Sequence, residues 1–303
     1  MKRIAFSLAV AAAALASASA QVSVEVSLEQ DQFLPGEAVL VAVRITNHSG
    51  RILHLGTDPD WLSFSLEARG VSVVPRHGDV PVTGEFFLGS SKVATKRVNL
   101  QPYFSFDASG SYAIIATVRA KDLNRDFTSP PKKFDIIEGA KLWEQEIGVP
   151  NATNSVTEVR RYVLQQANYL KNQLQLYLRI TDSTSGRVFC VFPIGPMVSF
   201  GQPEPQVDKL NNLHVLYQDH AHSFHYSVFN PDGMVVTNQI YDYAGTRPRL
   251  QPDRDGNVVV RGGTLRTSED EEGSSTNGTV KHRSSIFPGV TAPYDDTSSQ
   301  TNR

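Results

Sequence analysis

Four histidines and an aspartate fall within one short stretch: His214, Asp219, His220, His222 and His225. Imidazole and carboxylate are the usual ligands of zinc, so His214, His220, His222 and His225 are the candidate metal ligands and zinc the candidate cofactor. The spacing matches no established signature such as His-Glu-x-x-His, and exposed hairpin histidines are the competing reading. If the flanking segments pair through Asp219–Ser223 with an even-length loop, His214 and His225 share a face and His220 and His222 lie at the turn. A second group, Asp58, Asp60 and Trp61, sits in a loop. An exposed indole and carboxylates on a loop can contact sugars or peptides, which makes these three the candidate ligand-binding residues; the competing reading is a Trp61 that plugs one end of a core.

Other motifs carry less. Asp253-Arg-Asp255-Gly256-Asn257 has the alternating oxygens of a calcium loop but lacks the later bidentate Glu, and it reads as a β-turn, as does Asn230-Pro-Asp-Gly233. No Gly-x-Ser-x-Gly, phosphate loop or local nucleophile and base pair is present, so no catalytic residue is assigned. Cys190, the only cysteine, lies within Val188-Phe-Cys-Val-Phe192 with no cation beside it, the setting of a buried strand residue.

The histidines belong to an internal repeat. Pro203 to Val215 recurs without gaps as Pro248 to Val260, with Pro203/Pro248, Gln206/Gln251, Asp208/Asp253, Asn212/Asn257 and Val215/Val260 identical. His214 is replaced by Val259 in the second copy, so the shared residues describe a turn and His214 is an addition to one copy. Apolar strands and Gly turns precede each Pro segment, giving units of about 45 residues between 156 and 263. Residues 160–166 read as a strand by alignment with 212–218, although Ser155-Val-Thr-Glu158 also offers a helix start.

Upstream, Val22, Val24, Val26 and Leu28 alternate with polar residues, and Val39, Val41, Val43 and Ile45 do the same after the Pro35-Gly36 turn. Further short strands follow at 52–55, 62–67, 86–88, 95–100, 111–118 and 132–137, predicting an antiparallel β-sandwich over residues 21–138. Residues 139–155 read as a linker whose Leu142, Trp143 and Ile147 dock it against its neighbours.

The chain opens with Lys2-Arg3, an apolar run too short to span a bilayer and Ala18-Ser19-Ala20, which predicts a secretory signal over 1–20 cleaved after Ala20. No later apolar run is long enough for a transmembrane helix. With 29 Lys and Arg against 31 Asp and Glu and no basic stripe, nucleic acid is excluded as the partner. Residues 264–303 are rich in Ser, Thr, Gly and acid and predict a disordered tail, with one short apolar motif at 286–289.

Two resemblances sharpen the class. Asp107-Ala-Ser-Gly110-Ser-Tyr112, with Pro35-Gly36-Glu37 and Val43-Arg-Ile-Thr-Asn47, resembles the immunoglobulin-like modules of secreted bacterial proteins, including those related to a bacterial proteinase-inhibitor fold; it implies a tyrosine hydroxyl bonded back to the chain at a corner. The Pro-x-x-Gln-x-Asp…Asn repeat resembles β-propeller blades, which implies an open twisted sheet, a small sandwich, or closure by a second copy of the chain, because two units are too few to close a ring. The fold class is therefore all-β, a sandwich followed by a partial propeller-like repeat domain. The expectation for function is a secreted, non-enzymatic binding or scaffolding protein of the bacterial envelope that recognises protein or glycan. The alternatives are a metal-binding protein or metal-dependent enzyme centred on His214–His225, and a proteinase inhibitor acting through sandwich loops.

Overall fold

The computed structural model describes residues 21–69, 74–106, 108–150, 158–170 and 173–267. Among these the regular structure is strand throughout, apart from single 3-10 turns at Gln101–Tyr103 and Lys121–Leu123. The chain divides into two compact units. The first runs to Phe33 and resumes over Val39–Ile136; the second comprises Leu34–Ala38 and everything from Ile137 onward.

Ten strands build the first unit: β1 (Val22–Leu28), β2 (Gln32–Phe33), β3 (Leu40–Asn47), β4 (Leu53–Leu55), β5 (Leu62–Ala68), β6 (Phe86–Leu88), β7 (Val93–Asn99), β8 (Gly110–Ala120), β9 (Arg125–Thr128) and β10 (Lys132–Ile136). One sheet has the order β1-β3-β7 and the other β2-β10-β8-β5, with β9 on β8 and β4 paired to β6 in a ribbon. All pairs are antiparallel except β2 with β10. Period-two alternation sends Val41, Val43 and Ile45 inward from one sheet and Ile114, Ala116 and Val118 inward from the other, into one core. Tyr112 Oη donates to the Ala108 carbonyl at 2.8 Å, the bond back to the chain that the immunoglobulin-like resemblance implied. Asp107 lies outside the described residues.

The second unit holds β11 (Ala140–Val149), β12 (Glu158–Leu170), β13 (Gln173–Asp182), β14 (Val188–Pro196), β15 (Glu204–Val207), β16 (Leu213–Gln218), β17 (Ser223–Phe229), β18 (Val235–Asp242), β19 (Arg249–Pro252), β20 (Val258–Arg261) and β21 (Thr264–Leu265). They form two antiparallel meanders, β11-β12-β13-β14 and β15-β16-β17-β18, the second extended by β21, and a final hairpin of β19 with β20. The repeat is exact in register: Gln206 pairs with His214 and Gln251 with Val259, the equivalent positions.

Sheets stack face to face in this unit. Leu213, Val215 and Tyr217 meet Tyr162, Leu164, Leu176 and Leu178 of the first meander in one core. Gly195 is needed there, since a Cβ would overlap Tyr217 Oη. On the other face of β16 and β17, Leu216, Phe224, Tyr226 and Val228 meet Leu250 and Val260 of the last hairpin. The outer face of that hairpin carries Arg249, Gln251, Val259 and Arg261, so the stack ends on a largely polar surface. Its opposite end is closed by Leu34–Ala38: Leu34 is buried with Ala167, Tyr177 and Val191, and Arg179 Nη1 donates to the Pro35 carbonyl at 3.0 Å.

Two boundaries need correction. The predicted linker 139–155 contains β11, an edge strand of the second unit, whose Trp143, Ile147 and Val149 point into its core. A register shift between Lys141 and Trp143 places Leu142 off the alternation and leaves it exposed, which is why the segment did not read as a strand. The predicted tail begins too early, because Thr264 and Leu265 pair with Asp242 and Tyr241. Residues 1–20 and 268–303, and with them the predicted signal and most of the predicted tail, lie outside the described residues.

Candidate ligand-binding face

The group Asp58, Asp60 and Trp61 presents no exposed ring. Trp61 is only 1% exposed, inside the core, with its Nε1 donating to the Val82 carbonyl at 2.8 Å. An indole so placed has no face to offer. Asp58 is engaged by Lys121 Nζ at 2.6 Å, and that bond lowers its carboxyl pKa; Asp60 pairs with Arg119. These carboxylates tie the loop to the end of β8.

The histidines do not converge either. Tyr217 pairs with His225 and His214 with Val228, three residues from His225. An odd step puts the two rings on opposite faces of the sheet, against the shared face predicted from an even-length loop. His214 is buried, with Tyr226 Oη 2.7 Å from its Nδ1 and Asp208 Oδ2 3.2 Å from its Nε2. It secures the β15–β16 turn to β17. Among the described residues, no three His, Cys, Asp or Glu side chains are placed to share a metal ion.

What the remaining histidines do is build a loop. Asp219 Oδ2 accepts from His220 Nδ1 and from His225 Nε2, each at 2.9 Å, and the Asp219 side chain is 7% exposed. Burial alone would raise this carboxyl, but the hydrogen bonds from His225 and His220 outweigh it and hold the group well below the usual carboxylate range. His225 stacks on Tyr217, with ring centroids 5.5 Å apart. The buried carboxylate thus fixes the loop from below, while His220 and His222 stay exposed above it.

Neighbouring loops join this one. Val198 N donates to Gln218 O at 3.0 Å, and Gln218 Nε2 donates to the His220 and Ala221 carbonyls at 2.9 and 3.0 Å. Tyr243 N donates to His222 O at 2.8 Å, and the two rings lie 6.0 Å apart. Gly263 N donates to Thr246 O at 3.1 Å. The β14–β15, β16–β17, β18–β19 and β20–β21 loops are therefore contiguous, and they present Phe200 (79% exposed), His220, His222 and Tyr243 (47% exposed).

The other end of the strands is built differently. Asp208 Oδ1 accepts from Leu210 N and Asn212 N, both at 2.8 Å, and Asp253 Oδ1 accepts from Asp255 N and Asn257 N, both at 2.8 Å. Asn230 does the same for Asp232 N and Met234 N, and Asp182 for Thr184 N and Ser185 N. Four turns are closed by one device, a side-chain oxygen that takes the amides of its own turn. Gly233 completes the third with a φ of +83°, where a Cβ would strike Cys190 Sγ. Cys190 is packed beneath, and burial pushes its thiol up to about 12.

Sequence reasoning located the β16–β17 loop by its histidines but missed Phe200 and Tyr243. The available signal was positional, since both lie in loops that alternate with the Asp and Asn turns along the repeat. No protein-family model matches the chain, and no curated protein matches it. Among solved structures the chain is similar to the sporulation control protein Spo0M from Bacillus subtilis, at 11% identity and a TM-score of 0.30, over 55% of this chain and 82% of that one. A likeness of that degree carries no argument about fold or function.

Proposed function

We propose that the protein is a secreted, non-enzymatic binding protein of the bacterial envelope whose second unit takes a glycan across its ring-bearing loops. The observation that carries this reading is the contrast between the two ends of the strands: the turns held by Asp208 and Asn230 expose the flexible aliphatic side chains Leu210 and Met234, whereas the other end presents the flat rings of Phe200, Tyr243 and His222 on contiguous loops. Among the described residues, the most exposed large apolar groups of these loops are the rings of Phe200 and Tyr243, set among polar residues, with Leu265 of β21 less exposed beside them. Flat rings flanked by hydrogen-bonding groups suit the apolar faces of sugars. The signal-like residues 1–20 support export.

Affinity electrophoresis through gels that contain neutral or acidic polysaccharides tests the reading. At least one polysaccharide retards the protein, and Phe200→Ala and Tyr243→Ala each weaken that retardation by about fivefold to tenfold, the worth of one stacking contact. Unretarded migration through every polysaccharide, or retardation unchanged in both variants, would refute it.

A further inference from the structure

The charges beside the ring-bearing loops are arranged unusually. Arg249 and Arg261 stand directly opposite each other in the β19–β20 ladder, and like charges so placed destabilise a strand pair. Arg249 is partly compensated, because its Nη1 donates to Glu204 Oε1 at 2.5 Å. Arg261 has no carboxylate partner among the described residues, and neither has Arg247. Arg247 is held in place without one: its guanidinium lies over the Phe224 ring, 5.1 Å from the centroid. Both arginines are exposed and lie at the joined loops, Arg247 in the β18–β19 loop and Arg261 at the end of β20, since the turn after Arg261 bonds to Thr246 and a Cβ at Gly262 would meet the Arg247 carbonyl at 2.8 Å.

Among the described residues, the acids near these loops are already engaged. Asp219 is taken by His220 and His225, Glu204 by Arg249, and Asp242 by Arg266, whose Nε donates to it at 2.9 Å. Among the described residues the loop end therefore offers guanidinium groups without a carboxylate partner, on the same joined loops as the exposed rings. Planar guanidinium forks match carboxylate, sulfate and phosphate oxygens.

We propose that the glycan is an acidic polysaccharide, and that Arg247 and Arg261 take its anionic groups while Phe200 and Tyr243 stack on its rings. This inference rests on the glycan reading above and adds the charge of the ligand to it.

Calorimetric titration of the full protein with oligogalacturonate and with its methyl ester separates the two, because esterification removes the charge and keeps the sugar. The acid form should bind at least about tenfold more tightly than the ester, with the margin narrowing as salt is raised. Arg247→Gln and Arg261→Gln should each reduce the margin several-fold and together erase it. Circular dichroism on both variants reports whether the fold is kept. Binding of sulfated dextran in place of oligogalacturonate, lost in the same variants, supports the proposal with sulfate as the anion. Equal affinity for acid and ester, abolished by Tyr243→Ala, overturns the charge inference and leaves the glycan reading standing. No binding of any of these sugars, charged or neutral, overturns both.

Discussion

Asp219 is the residue on which the loop face depends, and its protonation gives that dependence a measurable sign. Its carboxyl sits below the unfolded value of 3.8 because the bonds from His225 and His220 outweigh burial. Below that value the unfolded chain binds a proton that the native protein does not, so the contribution is fully present above pH 3.8 and is lost as the pH falls through the lower native value. Asp219→Asn should lower stability by about 1–3 kcal/mol at neutral pH, by leaving the ring nitrogens with a poorer acceptor. The gap to the wild type should shrink on acidification below pH 3.8. Urea midpoints at pH 7 and pH 3 check this, and parallel losses in the two proteins would refute it.

At the scale of elements, the same turn appears in two copies with one difference. Asp208 and Asp253 each hold two amides of their own turn and the side chain of an Asn four residues on. Asp208 also meets the buried His214, for which the second copy has Val259. Asp208→Ala should cost about 1–2 kcal/mol more than Asp253→Ala, since it strands a buried imidazole as well as the turn. Urea denaturation of the two variants provides the comparison; equal losses would show that His214 adds nothing. These turns were legible in the sequence because an Asp followed by Gly or Asn at fixed offsets signals a local bond that needs no tertiary information. The strands of the first unit were legible for a similar reason, as their alternation records a single buried face. β11 was not, because its bulge at Leu142 interrupts that alternation and most of its side chains are exposed at a sheet edge. The faces of His214 and His225 depend on the pairing register, and one residue of slip inverts every side chain. Trp61, which follows Asp58 and Asp60, takes the core position that the sequence offered beside a ligand platform, and only the tertiary packing decides between the two.

At the scale of the whole molecule, the second unit uses two separate pieces of chain. Leu34, between β2 and β3 of the first unit in sequence, is 1% exposed among Ala167, Tyr177 and Val191 of the second. Truncation of a buried leucine costs about 2–5 kcal/mol. Leu34→Ala should therefore speed hydrogen exchange in β12, β13 and β14 and leave exchange in the β1-β3-β7 sheet unchanged. Faster exchange confined to β1, β3 and β7 would contradict the assignment of this segment to the second unit.

That division of labour has a consequence for how the protein is made. Leu34 leaves the ribosome before the strands that bury it have been synthesised, since Ala167, Tyr177 and Val191 follow more than 130 residues later. A nascent chain therefore carries an unburied leucine through the completion of its whole first unit, a period in which a chaperone would find it accessible. For the same reason, expression of the second unit alone from Ile137 yields a protein that lacks part of its own wall, and a faithful single-unit version needs residues 34–38 supplied on a separate strand or spliced in ahead of β11.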